Sequence, residues 1–498
     1  MKRQLKVKLM ALLLLVFCGV LQAAGELVIA QQADARSLDP SFSNDVYSHN
    51  VNVNIYDRLV DWSPTMTPEN SLAESFKQLD PLTLQVKIKE GVKFHNGDEL
   101  TSEDVKFTIE RSSKVPAAKT YYGDVDHVDI VDKYTVNIVT KIPYGPIMNT
   151  LAQTSGSILN KKYVEANGDK AFQQPVGTGP FKFKSWQSGD RIILDANKDY
   201  FRGAPGTTGV IFRVIPESTN RTIALETKEI DMALVIDPVD AATVRSRDYL
   251  KLHEMPSLSF TYLGYNCKKA PLDDARVRKA IALGINLPDI VDTAFQKAAV
   301  PAYSVIAEAT LAYKKDLPRP KRDVEAAKAL LKEAGFEKGL KLKLWLNENQ
   351  SRKDSAVIIQ AQLAEIGIDV TIEILEWGAY LTRLSNAEHE LFLLGWSGSP
   401  DPDGGMYALF NSKNFGEGGN NSFYKNDRVD ELLDKGRATT DAAARIPLYE
   451  EAQEILIEEQ AVCPLVNPIN MVGAQASLTG FDMNPRSVYF FRNIKKAK

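Results

Sequence analysis

The sequence predicts an α/β protein made of more than one compact unit, and three observations predict it. At roughly 150 residues per domain, the 498-residue chain has material for about three units. Over 323–375, helical and strand periods alternate as a strand-helix-strand crossover, the unit from which parallel sheets are built. Over 72–111, an alternating strand runs through turn signals into a capped helix.

Residues 1–25 read as a secretion signal, with Lys2, Arg3, Lys6 and Lys8 ahead of an apolar run over 9–21 and then Ala23-Ala24-Gly25. That run is shorter than the roughly 20 apolar residues of a membrane span, and no later stretch approaches that length. Cys18 follows Val16-Phe17 rather than the small residues of a lipoprotein site, so no lipid anchor is expected. Retention then places the mature chain in the periplasm. Its formal charge of −4 becomes about −8 without the four leader cations, and no basic stripe remains to recruit nucleic acid. Cys267 and Cys463 remain; an oxidising compartment permits a bridge, and two unlinked thiols are the alternative.

Residues 26–30 (ELVIA) form a short buried-strand pattern, followed by a polar stretch and a helix over about 51–59. Open α/β sheets offer ligand contacts beyond the carboxyl ends of their strands, which makes Ser43, Asn44 and Tyr47 candidates; the competing role is loop solvation. From 67 to 175 the chain carries its own strand, helix and hairpin pattern. Leu82, Leu84, Val86 and Ile88 alternate with Thr83, Gln85 and Lys87, and Thr101-Ser102-Glu103-Asp104 starts a helix near Ser102. Two alternating strands flank Asp132-Lys133, and the turn TSGS offers Ser155 and Ser157 as weaker candidates.

Gly177-Thr178-Gly179 is not a phosphate loop, because Pro180 leads into a strand rather than a helix N-terminus. A helix ending near Lys228 and a short strand occupy 221–236, and Asp273-Asp274 cap another helix. Within 323–375, Asp323 caps a helix stopped by Gly335, a strand covers 341–346, Ser351 with Asp354 makes a loose capping box, and Gly367 precedes the strand 368–375. This predicts a second α/β lobe over roughly 266–479. After a helix over 377–387, the strand ELFLLGW opens onto a Pro/Gly/Asp loop, which places Trp396, Ser397, Ser399 and Asp401 at one sheet edge. For Trp396 and Trp377 the competing role is core packing.

Five histidines are scattered without ligand spacing, and no G-x-S-x-G, H-E-x-x-H, C-x-x-C or Walker pattern occurs. Ser422-Phe423-Tyr424-Lys425 is the one S-x-x-K, the sequence of a serine hydrolase dyad, but it lies in a Gly/Asn-rich loop without a K-T-G partner. Asp401 and Asp403 have the composition of an acid/base pair and equally that of a turn.

The words ARSLDP, LAESF through KIKEGVKFHNGDELTSEDVKFTIER, GTGPFKF, KEIDMA, DARVRKAIALGIN, QLAEIGIDVTI, LLGWSG and ATTDAAARIPLYEEAQEIL occur in that order. Together they resemble the large peptide-type (family 5) extracellular solute-binding proteins that serve ABC importers. The resemblance implies a bilobal periplasmic-binding-protein fold of class α/β, with two mixed-sheet lobes joined by two hinge strands and an inserted subdomain in the first lobe. The implied division is a signal over 1–25, lobe I over 26–66, 176–265 and 480–498, the insert over 67–175, and lobe II over 266–479.

The resemblance also implies capture of a small peptide by lobe closure and delivery to a membrane permease pair driven by ATPase subunits. The carrier is expected to be a monomer with no cofactor, no metal and no catalytic residue. The sequence departs from the dipeptide-binding branch, which holds the ligand amine with an aspartate three residues after the GW tryptophan. Ser399 stands there, with Asp401 the nearest acid. Where that branch has an arginine for the ligand carboxylate, this chain offers Asn347, Asn349 and, slightly beyond, Arg352. GWSGS, LWLNENQS and the ATTD tail are closer to the glutathione-binding branch, so glutathione is a named candidate. The alternatives are a carrier of a nickel chelate or other non-peptide solute, a ligand-reading module for a chemoreceptor, and a secreted hydrolase using Ser422 and Lys425.

Overall fold

In a computed structural model, the described residues are 25–43, 45–318 and 321–496. The signal segment 1–24, with Cys18, and the candidate Asn44 lie outside them.

The strand Val462–Gln475 ties the molecule together. Its first residues pair antiparallel with Phe260–Tyr265, and its last pair with Leu250–Pro256 and Met232–Ala233. Outward on one side, Leu391–Trp396, Leu340–Leu346 and Ile368–Ile374 follow, the last two parallel as the crossover over 323–375 requires. On the other side stand Leu27–Gln31, Gly209–Val214, Arg191–Ala196 and Phe181–Gln187. Two lobes thus share one long strand.

Each lobe buries apolar residues on both faces of its sheet. In the second lobe, one core gathers Val277, Ile281, Leu344, Ile359 and Leu391, and another gathers Phe260, Tyr262, Phe392, Met406 and Leu456. Such two-sided burial explains why LFLLGW reads as a continuous apolar run rather than an alternation. A separate core lies in the four-stranded antiparallel sheet of Ala73–Asp80, Thr83–Ile88, Thr135–Thr140 and Val125–Asp132, covered by the helix Ser102–Ser112. There Leu84, Val86 and Ile88 are buried while Thr83, Gln85 and Lys87 face outward, as their alternation predicts. Leu82 precedes the strand and is exposed.

Local capping explains several boundaries. The helix expected over 51–59 runs over Val46–Ile55, because the Asp45 carboxylate accepts the Ser48 backbone N–H and starts it earlier. The helix Gln350–Ala364 is capped by Asn349, whose Oδ1 accepts from the Arg352 N–H, and not by Ser351. Gly177 and Gly179 let the chain pass against the end of the helix Val46–Ile55. A Cβ at either glycine would lie 2.1 or 2.5 Å from the Ile55 carbonyl oxygen. Both cysteines are free, Cys463 buried and Cys267 half-buried. No helix among the described residues is long and apolar enough to cross a membrane.

Candidate functional site

The main cavity, about 270 Å³, lies between the lobes. From the first lobe, the segment after Leu27–Gln31 supplies Ser43, Asp45, Tyr47 and His49. The short strand Met232–Ala233 leads to Asp237, and the C-terminal return brings Arg486 and Tyr489. From the second lobe come Asn349 and Arg352 at the start of one helix, Trp377 at the start of another, and Trp396 and Ser397 where Leu391–Trp396 ends. This is the strand-end placement on which the sequence expectation for Ser43, Tyr47 and Trp396 rests.

Tyr47 and Trp377 meet edge to face, with ring centroids 5.3 Å apart at 83°, and the Tyr47 hydroxyl donates to Gln32 Oε1 at 2.9 Å. Burial pushes this phenol up to about 12, with Arg352 and Arg221 opposing, so it stays protonated. Arg352 donates to Asn347 Oδ1 at 2.7 Å and has no carboxylate partner among the described residues. Asp237 is buried, with Oδ2 lacking a hydrogen-bond partner and the Arg221 guanidinium 3.7 Å away. Burial pushes its carboxyl up, and Arg221 opposes that shift. Ser43 Oγ, Ser155 Oγ and the indole nitrogens of Trp377 and Trp396 are also buried without partners. A cavity that presents unpaired donors, acceptors, a guanidinium and a carboxylate is built to receive a polar, charged guest.

The structure therefore brings Ser43, Tyr47, Ser155, Asn349, Arg352, Trp377, Trp396 and Ser397 to one cavity. Ser157, Asn347, Ser399 and Asp401 are not on its wall. Asn347 stands behind it, bracing Arg352. Ser399 is buried, accepting from the Asp401 N–H at 3.3 Å. Asp401 is spent on Arg445, with oxygens 2.6 and 2.7 Å from the guanidinium, and on Asn149 at 2.9 Å. It does not replace the missing amine-binding aspartate. Asp403 is likewise paired with Arg437, at 2.8 and 2.9 Å, so the two acids are no acid/base pair. Lys425 is 61% exposed with its ammonium 3.3 Å from Asp427, while Ser422 is buried, so the hydrolase dyad does not form. Asp237, His49 and Arg486 carried no sequence signal, being polar residues in or beside loops that long-range packing brings to the wall.

His49 contacts the Ser43 carbonyl through Nε2 at 3.2 Å, and burial pulls its imidazole down to about 4, with Asp45 opposing. Burial likewise lowers His95 to about 4 and His389 to about 3. A native value below the unfolded one means that the unfolded chain binds protons first as pH falls. This stabilisation, with an upper bound of roughly 3–5 kcal/mol per histidine, is complete above about pH 6.5 and is lost toward pH 4, and for His389 toward pH 3. Urea midpoints measured from pH 7.5 to 4.5 are expected to fall most steeply below 6.5, and His389→Phe flattens the descent.

The family model for bacterial extracellular solute-binding proteins, family 5 Middle, matches residues 67–417. The chain belongs to this family. Family 5 relatives align along nearly its whole length. The dipeptide-binding protein of Escherichia coli (strain K12) is 30% identical, covering 95% of this chain and 94% of its own. The glutathione-binding protein GsiB of the same strain is 30% identical with the same coverage. Among solved structures, the ABC transporter-associated periplasmic binding protein DppA from Helicobacter pylori, in complex with the peptide STSA, superposes with a TM-score of 0.91. It is 31% identical, covering 95% of this chain and 98% of that one. These family 5 proteins are binding components of transporters rather than enzymes, and the fold described above is theirs.

Proposed function

We propose that this chain is the periplasmic substrate-binding component of an ABC importer for small peptides, glutathione being a named candidate. The observation that carries this reading is the pairing of charges across the cavity: Arg352 from one lobe, Asp237 from the other, and Tyr47 within reach of both fields. A short peptide is a zwitterion, so its carboxylate meets Arg352 and its ammonium meets Asp237 Oδ2. Its backbone amides meet Ser43, Ser155 and the two indole N–H groups. A volume of about 270 Å³ lies just below the ~300–1,000 Å³ usual for small-molecule sites and favours a compact ligand. The dipeptide- and glutathione-binding names of the relatives agree with that chemistry.

Capture works through closure. Thr120 Oγ1 donates to the Gly418 carbonyl at 2.9 Å, and Ser397 Oγ donates to the Arg486 carbonyl at 2.7 Å. These bonds cross between the walls and exist only when the walls meet. Ligand shifts the molecule toward this state by binding it more tightly than the open one, since equal affinity would shift nothing. The closed form is the one delivered to the permease pair with its ATPase subunits.

A thermal-shift panel of dipeptides, longer peptides, reduced and oxidised glutathione, sugars and nickel tests this. A specific peptide at 100 times its Kd adds about 2.7 kcal/mol by mass action and raises Tm. Stabilisation by sugars alone or by metal alone contradicts the proposal.

A further inference from the structure

We propose that Arg486 forms a second subsite for a carboxylate, so that the preferred ligands are short peptides with a carboxylate beyond the terminal one, from an acidic side chain or a γ-linked glutamate. The inference rests on the peptide reading above and names the substrate class within it.

Arg486 is 8% exposed and lines both the main cavity and a small adjoining pocket that it shares with Arg58, Trp62 and Thr154. One terminal nitrogen donates to Gln153 Oε1 at 2.9 Å, and the guanidinium carbon lies 5.8 Å from the centre of the Trp62 ring. Its Nε has no partner, and no carboxylate pairs with it among the described residues. Asp45, on the same cavity wall, accepts from the Ser48 backbone N–H at 3.0 Å and from Ser48 Oγ at 2.8 Å. Asp61 is shared by Arg58 and by Arg202, the latter at 2.9 Å. Asp57 accepts from the Tyr200 hydroxyl at 2.7 Å and from Thr178 Oγ1 at 2.9 Å, and burial pushes its carboxyl up.

Arg58, the guanidinium that shares the small pocket with Arg486, is already matched by Asp61, which leaves no carboxylate over for Arg486. Burial pulls Arg486 down to about 10, which leaves it cationic at neutral pH, and His49 beside it is neutral. A buried cation without a counter-charge is costly, and a ligand carboxylate supplies the charge while matching the flat fork of the guanidinium. With Arg352 taking the terminal carboxylate and Asp237 the ammonium, the complement is a ligand with two negative groups and one positive.

The test is calorimetry with the matched pair Ala-Glu and Ala-Gln, with glutathione alongside, on the whole protein. The wild type is expected to bind Ala-Glu about 10- to 100-fold more tightly than Ala-Gln, the range of a charge-assisted bond. Arg486→Gln is expected to abolish that preference, the affinity for Ala-Glu falling to that for Ala-Gln, and Arg486→Lys to keep part of it. Equal wild-type affinity for the pair, or equal loss of both ligands in Arg486→Gln, overturns the subsite and leaves the peptide reading standing. Failure of the wild type to bind any short peptide removes both. If Arg486→Gln does not fold, the wild-type pair and the lysine variant decide.

Discussion

Asp401→Asn is expected to destabilise the protein by about 3–5 kcal/mol, the cost of leaving a buried charge without its partner. Arg445, 3% exposed, would keep its guanidinium among Tyr449 and the Gly436 carbonyl with no carboxylate to balance it. The loss should appear as a lower urea midpoint at unchanged slope. Arg445→Met added to Asp401→Asn is expected to recover much of it, since removing both charges leaves nothing unpaired. Asp427→Asn is the control: Asp427 is 90% exposed, so breaking its pair with Lys425 should leave the midpoint almost unmoved. Because Asp401 also accepts from Asn149 at 2.9 Å, on the opposite side of the cleft, Asp401→Asn should weaken closure as well.

Arg352→Gln is expected to lower affinity for peptides with a free carboxyl terminus by about 10- to 100-fold while leaving their C-terminal amides unaffected. The guanidinium is held by Asn347 at 2.7 Å and backs onto Gly395, where an added Cβ would lie 3.0 Å from it. The site is thus shaped around that head group, and a lysine cannot reproduce its two-pronged contact. Equal losses for acid and amide peptides would assign Arg352 to scaffolding.

What the sequence revealed and what it hid divide along range of interaction. The unit over 323–375 was legible because each helix carries its own cap and stop, and each strand its own period; Asp323 does accept the Ala326 N–H as expected. Trp396 and Tyr47 were legible because a strand end beside a polar loop is a place as well as a composition. Asn349 lies on the cavity wall as expected, but it also takes the helix cap assigned to Ser351, a choice between neighbouring polar residues that periodicity does not make. Asp401 was misplaced because its partner is 44 residues away. Arg486 and Asp237 were invisible for the same reason: nothing local tells a buried charge from a solvated one.

The most direct test of the whole account is small-angle X-ray scattering of the protein, alone and with a peptide already shown to raise its Tm. Two lobes that close on a shared guest predict a smaller radius of gyration with ligand, and a bound profile that fits the closed structure described here. An identical profile with and without a bound peptide would contradict it.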